Sequence, residues 1–159
     1  MPPPDPARFR AAMAMLPTGV TVVSAAGPEG PAGATANAVC SLSIEPMLML
    51  ACLDRGSRTL LAVQAANHFG ISVLHAGQEE IARSFATKAP VADKWQGVAW
   101  SDRDGIPAIN EQDTRGRAQF HSDSGCVARY RGTAGFEVSR GGTSIWCATV
   151  ERTAAELYR

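Results

Sequence analysis

Gly33-Ala34-Thr35-Ala36-Asn37-Ala38-Val39-Cys40-Ser41-Leu42-Ser43, then Pro46-Met47-Leu48-Met49-Leu50-Ala51-Cys52-Leu53, then Asp54-Arg55-Gly56-Ser57-Arg58-Thr59 is the most informative stretch of this chain. The first part alternates small and polar residues and reads as extended chain. Met47 to Leu53 is a continuous apolar run, which predicts a strand buried on both faces. Ser57 then predicts a helix cap, with the helix running to about Ala66. Hydroxyls and amides on two extended segments, followed by a Ser/Arg/Thr cluster, suit a flat polar ring at one end and a phosphate at the other.

The chain on either side supplies the frame. Asp5-Pro6 predicts a helix start, and Phe9, Met13 and Leu16 recur on one face until Pro17-Thr18-Gly19. Val20–Ala25 and His68–Leu74 read as strands, with a turn at Gly27-Pro28-Glu29-Gly30-Pro31 between the first and Gly33. Gln78–Ala86 is an amphipathic helix with Ile81, Ala82 and Phe85 inward. From Asp102 to Ser124 no clear period emerges. Strand signals return at Cys126–Tyr130, Phe136–Val138 and Ser144–Val150, and Glu151–Arg159 fits helix or strand. Many short strands with few helices predict a mainly β fold, an antiparallel barrel with peripheral helices, in one domain over residues 1–159.

Composition narrows the function classes. Fifteen basic and 15 acidic residues balance to zero, without the basic excess of a nucleic-acid binder. No apolar run reaches the roughly 18 residues a membrane helix requires. The Met-Pro-Pro-Pro-Asp start carries no secretory signal, and Cys40, Cys52, Cys126 and Cys147 form no Cys-x-x-Cys pair. A reduced, cytoplasmic protein without a metal site is the expectation.

The order of these motifs resembles the short-chain flavin reductases, whose fold is the FMN-binding split barrel, a Greek-key antiparallel barrel. The likeness runs from Phe9-Arg10-x-Ala12 and Pro17-Thr18-Gly19-Val20-Thr21 through Thr35-Ala36-Asn37, Cys40-Ser41-Leu42-Ser43 and Asp54-Arg55-Gly56-Ser57-Arg58-Thr59. It continues in Phe69-x-Ile71-x-Val73-Leu74, Ala82-Arg83-x-Phe85-Ala86, Asp93-Lys94-Trp95 and an Ile106-Pro107-Ala108 turn. The C-terminal third departs from the pattern: Thr143 stands where the family carries a histidine near the nicotinamide. His121 is a speculative substitute for that imidazole.

The resemblance implies an NAD(P)H:flavin oxidoreductase that uses FMN or FAD with NADH or NADPH. It also implies a homodimer and a partner flavin-dependent monooxygenase. The alternative is a flavin carrier or sensor without efficient reductase activity, which the change at Thr143 favours. Thr35, Asn37 and Ser41 share one side if their segment is extended throughout. Ala36, Ala38 and Leu42 offer backbone groups to a ring; Cys52, Leu53 and Asp54 are further cofactor-binding candidates, although Cys52 by itself reads as a core residue, with no basic neighbour to mark an activated thiolate. Ser57, Arg58 and Thr59 suit the phosphate, through a helix N-terminus and a guanidinium. Phe85 is a candidate neighbour of the ring, and as an aromatic on a helix face it reads equally as a core residue. No side chain is expected to act as acid or nucleophile. Arg8, Arg10, Arg83 and Lys94 read as surface charge, the last two within reach of a phosphate.

Overall fold

A computed structural model describes residues 5–43, 45, 48–103, 105–109, 128–136 and 143–152. The elements run α1 (Pro6–Met13), β1 (Thr21–Gly27), β2 (Gly30–Ala36), β3 (Val39–Ser43), β4 (Leu48–Asp54), α2 (Arg58–Ala66) and β5 (His68–Val73). They continue as α3 (Glu79–Ala86), α4 (Val91–Trp95), β6 (Trp100–Arg103), β7 (Ile106–Ile109), β8 (Ala128–Phe136) and β9 (Thr143–Arg152). A single 3₁₀ turn, Ala76–Gln78, precedes α3.

Seven strands form one antiparallel sheet in the order β2-β1-β5-β8-β9-β4-β3, and β6 and β7 form a separate hairpin. The two edge strands are consecutive in the chain. Only Asn37 and Ala38 separate the end of β2 from the start of β3. Laid flat, edges six strand spacings apart would be about 29 Å from one another. Three Cα steps span at most about 11 Å. The sheet is therefore rolled until its edges meet at Asn37–Ala38. No ladder joins β2 to β3 among the described residues, so hydrogen bonding does not close the roll.

Hydrophobic burial on both sides of β1 organises the core. Val23 and Ala25 face Leu60, Ala62 and Val63 of α2, with Phe69 and Ile71 of β5. Val22 on the other face joins Ile81, Phe85, Trp95 and Ile109. The β6–β7 hairpin is pinned to this second face. Ser24 Oγ donates to the Pro107 carbonyl at 2.6 Å, Ile109 N donates to Ser72 Oγ at 3.3 Å, and His68 Nε2 pairs with the Gly105 carbonyl. Gly70 permits the approach, because a Cβ there would collide with Ile106 Cγ2.

Several expectations change. Ile106-Pro107-Ala108 is not a turn but buried strand β7; the turn lies just before it, where Gly105 takes φ 82° and its N–H donates to Asp102 Oδ1. The stretch from Gly33 to Ser43 breaks at Asn37, which is a bend, so Thr35, Asn37 and Ser41 do not lie along one uninterrupted strand. Of the β4 residues from Met49 to Leu53, Ala51 and Leu53 are buried while Met49, Leu50 and Cys52 are half-buried, so that part of the apolar run is not covered on both faces by described residues. The first helix ends at Met13, and its apolar face is bare: Phe9, Met13 and Leu16 are all exposed. The segments around Tyr130 and Phe136 belong to the single strand β8, and β9 runs through to Arg152. Cys126, Val138, His121 and residues 153–159 lie outside the described residues.

Candidate active site

The turn from β4 into α2 builds one wall of a cleft. Asp54 Oδ1 accepts from Gly56 N at 2.7 Å, and Ser57 N donates to the Asp54 carbonyl at 2.9 Å. This turn delivers Ser57 to the N-cap of α2, where Oγ accepts from Thr59 N at 3.1 Å. The Ser57 hydroxyl proton stays available, and the start of a nine-residue helix presents backbone N–H groups and a partial positive charge.

The opposite wall comes from α3, α4 and the loop between them. Arg58 reaches across and donates from Nη2 to the carbonyls of Lys88 and Ala89, at 2.9 and 3.0 Å. Both bonds leave from one nitrogen, so the rest of the guanidinium fork faces the cleft with donors to spare. Lys94 enters from α4. Its Nζ donates to the Gly33 and Phe85 carbonyls at 3.4 and 3.3 Å. Desolvation, and then the nearby Arg58 charge, hold the Lys94 ammonium below the ordinary lysine value. The cleft is open to solvent and has a volume of about 330 Å³. Among the described residues, the cations Arg58, Lys88 and Lys94 line it against one carboxylate, Asp54. Such a net positive cleft at a helix N-terminus fits a phosphate.

Gly33 and Phe85 set its shape. Phe85 packs edge-on against Trp95 with ring centroids 4.8 Å apart. A Cβ on Gly33 would stand 2.6 Å from Phe85 Cε1 and 3.2 Å from Trp95 Cζ2, so only glycine lets β2 lie this close to α3 and α4. The Thr35 hydroxyl donates to the Ala82 carbonyl at 2.6 Å and fastens the same two elements.

The residues singled out from the sequence fall into two groups. Thr35, Asp54, Ser57, Arg58, Thr59 and Phe85 line the cleft. Of these, Phe85 and Thr59 are buried and serve as wall and cap partner, and the Thr35 hydroxyl is already engaged. Asn37, Ala38, Ser41, Leu42, Cys52 and Leu53 lie outside the cleft, on a strip formed by β3, β4 and the link before them, and Ala36 lies outside it at the end of β2. Cys52 N donates to the Ala38 carbonyl at 3.0 Å, which puts the link beside β4. Asn37, Ala38, Ser41 and Leu42 are exposed there, whereas Ala36 and Leu53 are buried in the core. Burial, and then Cys40 close by, push the Cys52 thiol up, so it stays protonated and unreactive.

Sequence reasoning underrated Lys94 and did not find Lys88. Asp93-Lys94-Trp95 directly follows the Phe85 helix, and Trp95, buried beside Phe85, turns Lys94 toward Gly33. Arg83, by contrast, pairs with Glu79 on the surface at 2.7 Å. His75 is a structural cap: its Nδ1 accepts from Gly77 N at 2.9 Å. The departure at Thr143 falls near the cleft, because the backbone of position 143 pairs with Asp54 in the β4–β9 ladder.

A rolled antiparallel sheet with a cationic cleft at its edge defines a β protein with a site suited to an anionic ligand. Residues 13–154 match the flavin reductase like domain, and the chain belongs to that family. It is 42% identical over 105 residues to a flavin reductase (NADH) of Kitasatospora aureofaciens, covering 64% of this chain and 54% of that protein. It is 37% identical over 126 residues to a flavin reductase (NADPH) of Lentzea aerocolonigenes, covering 77% of this chain and 68% of the relative. The chain thus spans about half to two thirds of the length of these relatives. The NADH:FAD oxidoreductase SgcE6 of Streptomyces globisporus C-1027 superposes with a TM-score of 0.76 at 30% identity, covering 96% of this chain and 86% of that one. SgcE6 has also been solved in complex with NAD and FAD fragments.

Proposed function

We propose that this chain is an NAD(P)H-dependent flavin reductase that passes hydride from NADH or NADPH to FMN or FAD. The observation that carries this reading is the cationic cleft at the start of α2, where Arg58 and Lys94 converge beside the Ser57 cap. Ser57, Arg58 and Lys94 hold the flavin phosphate, with Thr59 fixing Ser57 in place. Asn37 and Ser41 are exposed hydroxyl and amide groups one strand away, and they meet the polar edge of the ring. Backbone groups of Ala36, Ala38, Leu42, Cys52, Leu53 and Asp54 border the same strip.

Flavin supplies the redox chemistry, accepting a hydride at N5. The chain's share is orientation. The small, exposed side chain of Ala38 lets a ring approach the backbone, and the exposed strip leaves the ring's other face open for a nicotinamide. Hydride transfer to the flavin requires no side-chain acid of the protein. The reductase names of the relatives do not favour the carrier or sensor alternative, despite Thr143.

The same reading includes a split barrel, for which the rolled seven-stranded sheet is the support, and a homodimer. Phe9, Met13, Met15 and Leu16 stand exposed on and just after α1, with Val20 and Val73 exposed at the neighbouring strand ends, an apolar surface suited to a second copy. A cytoplasmic location suits the free Cys40 and Cys52. An open ring face also suits release of reduced flavin to a partner monooxygenase. The test is anaerobic mixing of the protein with FMN and NADH or NADPH. Loss of nicotinamide absorbance together with flavin bleaching is expected; a flavin that binds but stays oxidised with both nucleotides contradicts the reductase reading.

A further inference from the structure

Cys40 and Cys52 carry free thiols on β3 and β4. The ladder between these strands sets Val39 opposite Ala51 and Cys40 opposite Leu50, and Cys52 N donates to the Ala38 carbonyl at 3.0 Å. Side chains alternate between the faces of a strand, and directly paired residues share a face. Val39, Met49, Ala51 and Leu53 lie in the core or pack against it. Cys40, Leu50 and Cys52 therefore take the outward face, with Cys40 exposed and Cys52 half-buried. The two thiols stand on one diagonal of the ladder. Cys40 is near enough to add to burial in pushing the Cys52 thiol up.

Spacing decides what such a pair can do. Diagonal neighbours on an antiparallel ladder are about 7–8 Å apart at Cα. A disulfide takes about 4.4–6.8 Å, so closing an S–S bond here would need the backbone to move. A metal ion between the sulfurs inserts two bonds of about 2.3 Å each and spans the longer gap. Ligand number narrows the metal. Among the described residues no group of three or more His, Cys, Asp or Glu side chains could hold an ion, so the pair stands as two. Structural zinc takes four ligands, whereas soft thiolates select Cu(I). No Cys-x-x-Cys motif signals this pair, because strand pairing, not sequence proximity, brings it together.

We propose that Cys40 and Cys52 form a two-thiolate site for a soft monovalent metal ion, Cu(I), on the outward face of the β3–β4 ladder. Both thiols release their protons as the ion binds. The exposed Cys40 gives the ion its path from solution. The site stands independently of the flavin reading.

The test is anaerobic titration of the full chain with Cu(I) in competition with bicinchoninate, a chromogenic chelator, for the unaltered protein and for Cys40→Ser, Cys52→Ser and Cys147→Ser. Position 147 pairs with Leu50 in the β4–β9 ladder, so its variant checks that the set stops at two. The unaltered chain and Cys147→Ser should each withdraw one ion from the chelator. Cys40→Ser and Cys52→Ser should weaken that binding by more than about a hundredfold, beyond what loss of a supporting contact costs a metal site. Cys40→Ser decides the matter if Cys52→Ser fails to fold, because Cys40 is exposed and its hydroxyl analogue is tolerated in water. The proposal is overturned if the unaltered chain takes no ion from the chelator, if Cys40→Ser keeps its affinity, or if Cys147→Ser loses as much as Cys40→Ser.

Discussion

The cleft at the head of α2 and the strip along β3–β4 are built in opposite ways. In the cleft nearly every group is already held: Ser57 by Thr59 N, Arg58 by two carbonyls of the 88–89 loop, Lys94 by the carbonyls of Gly33 and Phe85. On the strip, Asn37, Ser41 and Leu42 are exposed. Preorganised donors lose little entropy when a ligand arrives, whereas loose ones must be ordered first. Affinity should therefore reside in the cleft, and the strip should govern how the ring is presented.

The largest expected effect lies in the cleft's wall. Phe85→Ala removes a fully buried ring that supports both Gly33 and Trp95 and should cost about 3–5 kcal/mol in urea unfolding. A cost below 1 kcal/mol would mean that the wall is not rigid, and the contrast with the strip would fail. Next comes Arg58→Ala, which should weaken FMN binding about tenfold to a hundredfold, as expected for charge-assisted bonds of about 1.5–3 kcal/mol. Fluorescence quenching measures it directly. A smaller loss, about threefold to tenfold, is expected for Asn37→Ala or Ser41→Ala, since each gives up one neutral hydrogen bond. A greater loss at Asn37 than at Arg58 would invert the comparison.

Lys94 sharpens it through pH. Its folded-state value is depressed, so in the window between that value and the ordinary one the unfolded chain holds more protons. There, this group's contribution to stability rises with pH. Anion binding has the opposite sign, because the phosphate needs the protonated ammonium. FMN affinity should therefore fall as pH climbs through the depressed Lys94 value, and Lys94→Met should flatten that fall. An unchanged pH profile in the variant would remove Lys94 from the phosphate contact.

Local signals made much of this legible from sequence. Asp5-Pro6 and Ser57 mark helix starts by capping chemistry, and both caps form. The Ile81/Phe85 spacing of α3 and the Val-rich β1 state their buried faces directly. What the sequence hides is tertiary. The β6–β7 hairpin escapes because Pro107 suggests a turn, yet its missing N–H costs nothing on a two-stranded ribbon. Gly105, which marks the real turn, sits in a polar stretch. Asn37 looks like one more extended residue, but it is where a rolled sheet passes from one edge to the other. Lys88 and Lys94 join Arg58 from 30 or more positions away in the chain, and no local pattern announces that.

The central claim is that the α2 cleft grips a flavin's phosphate. Its most direct measurement is the affinity of the unaltered protein for FMN against riboflavin, which differ only in that group, repeated with Arg58→Ala. The account predicts that FMN binds at least about tenfold more tightly and that the variant closes most of the gap. Equal binding of FMN and riboflavin by the unaltered protein would contradict it.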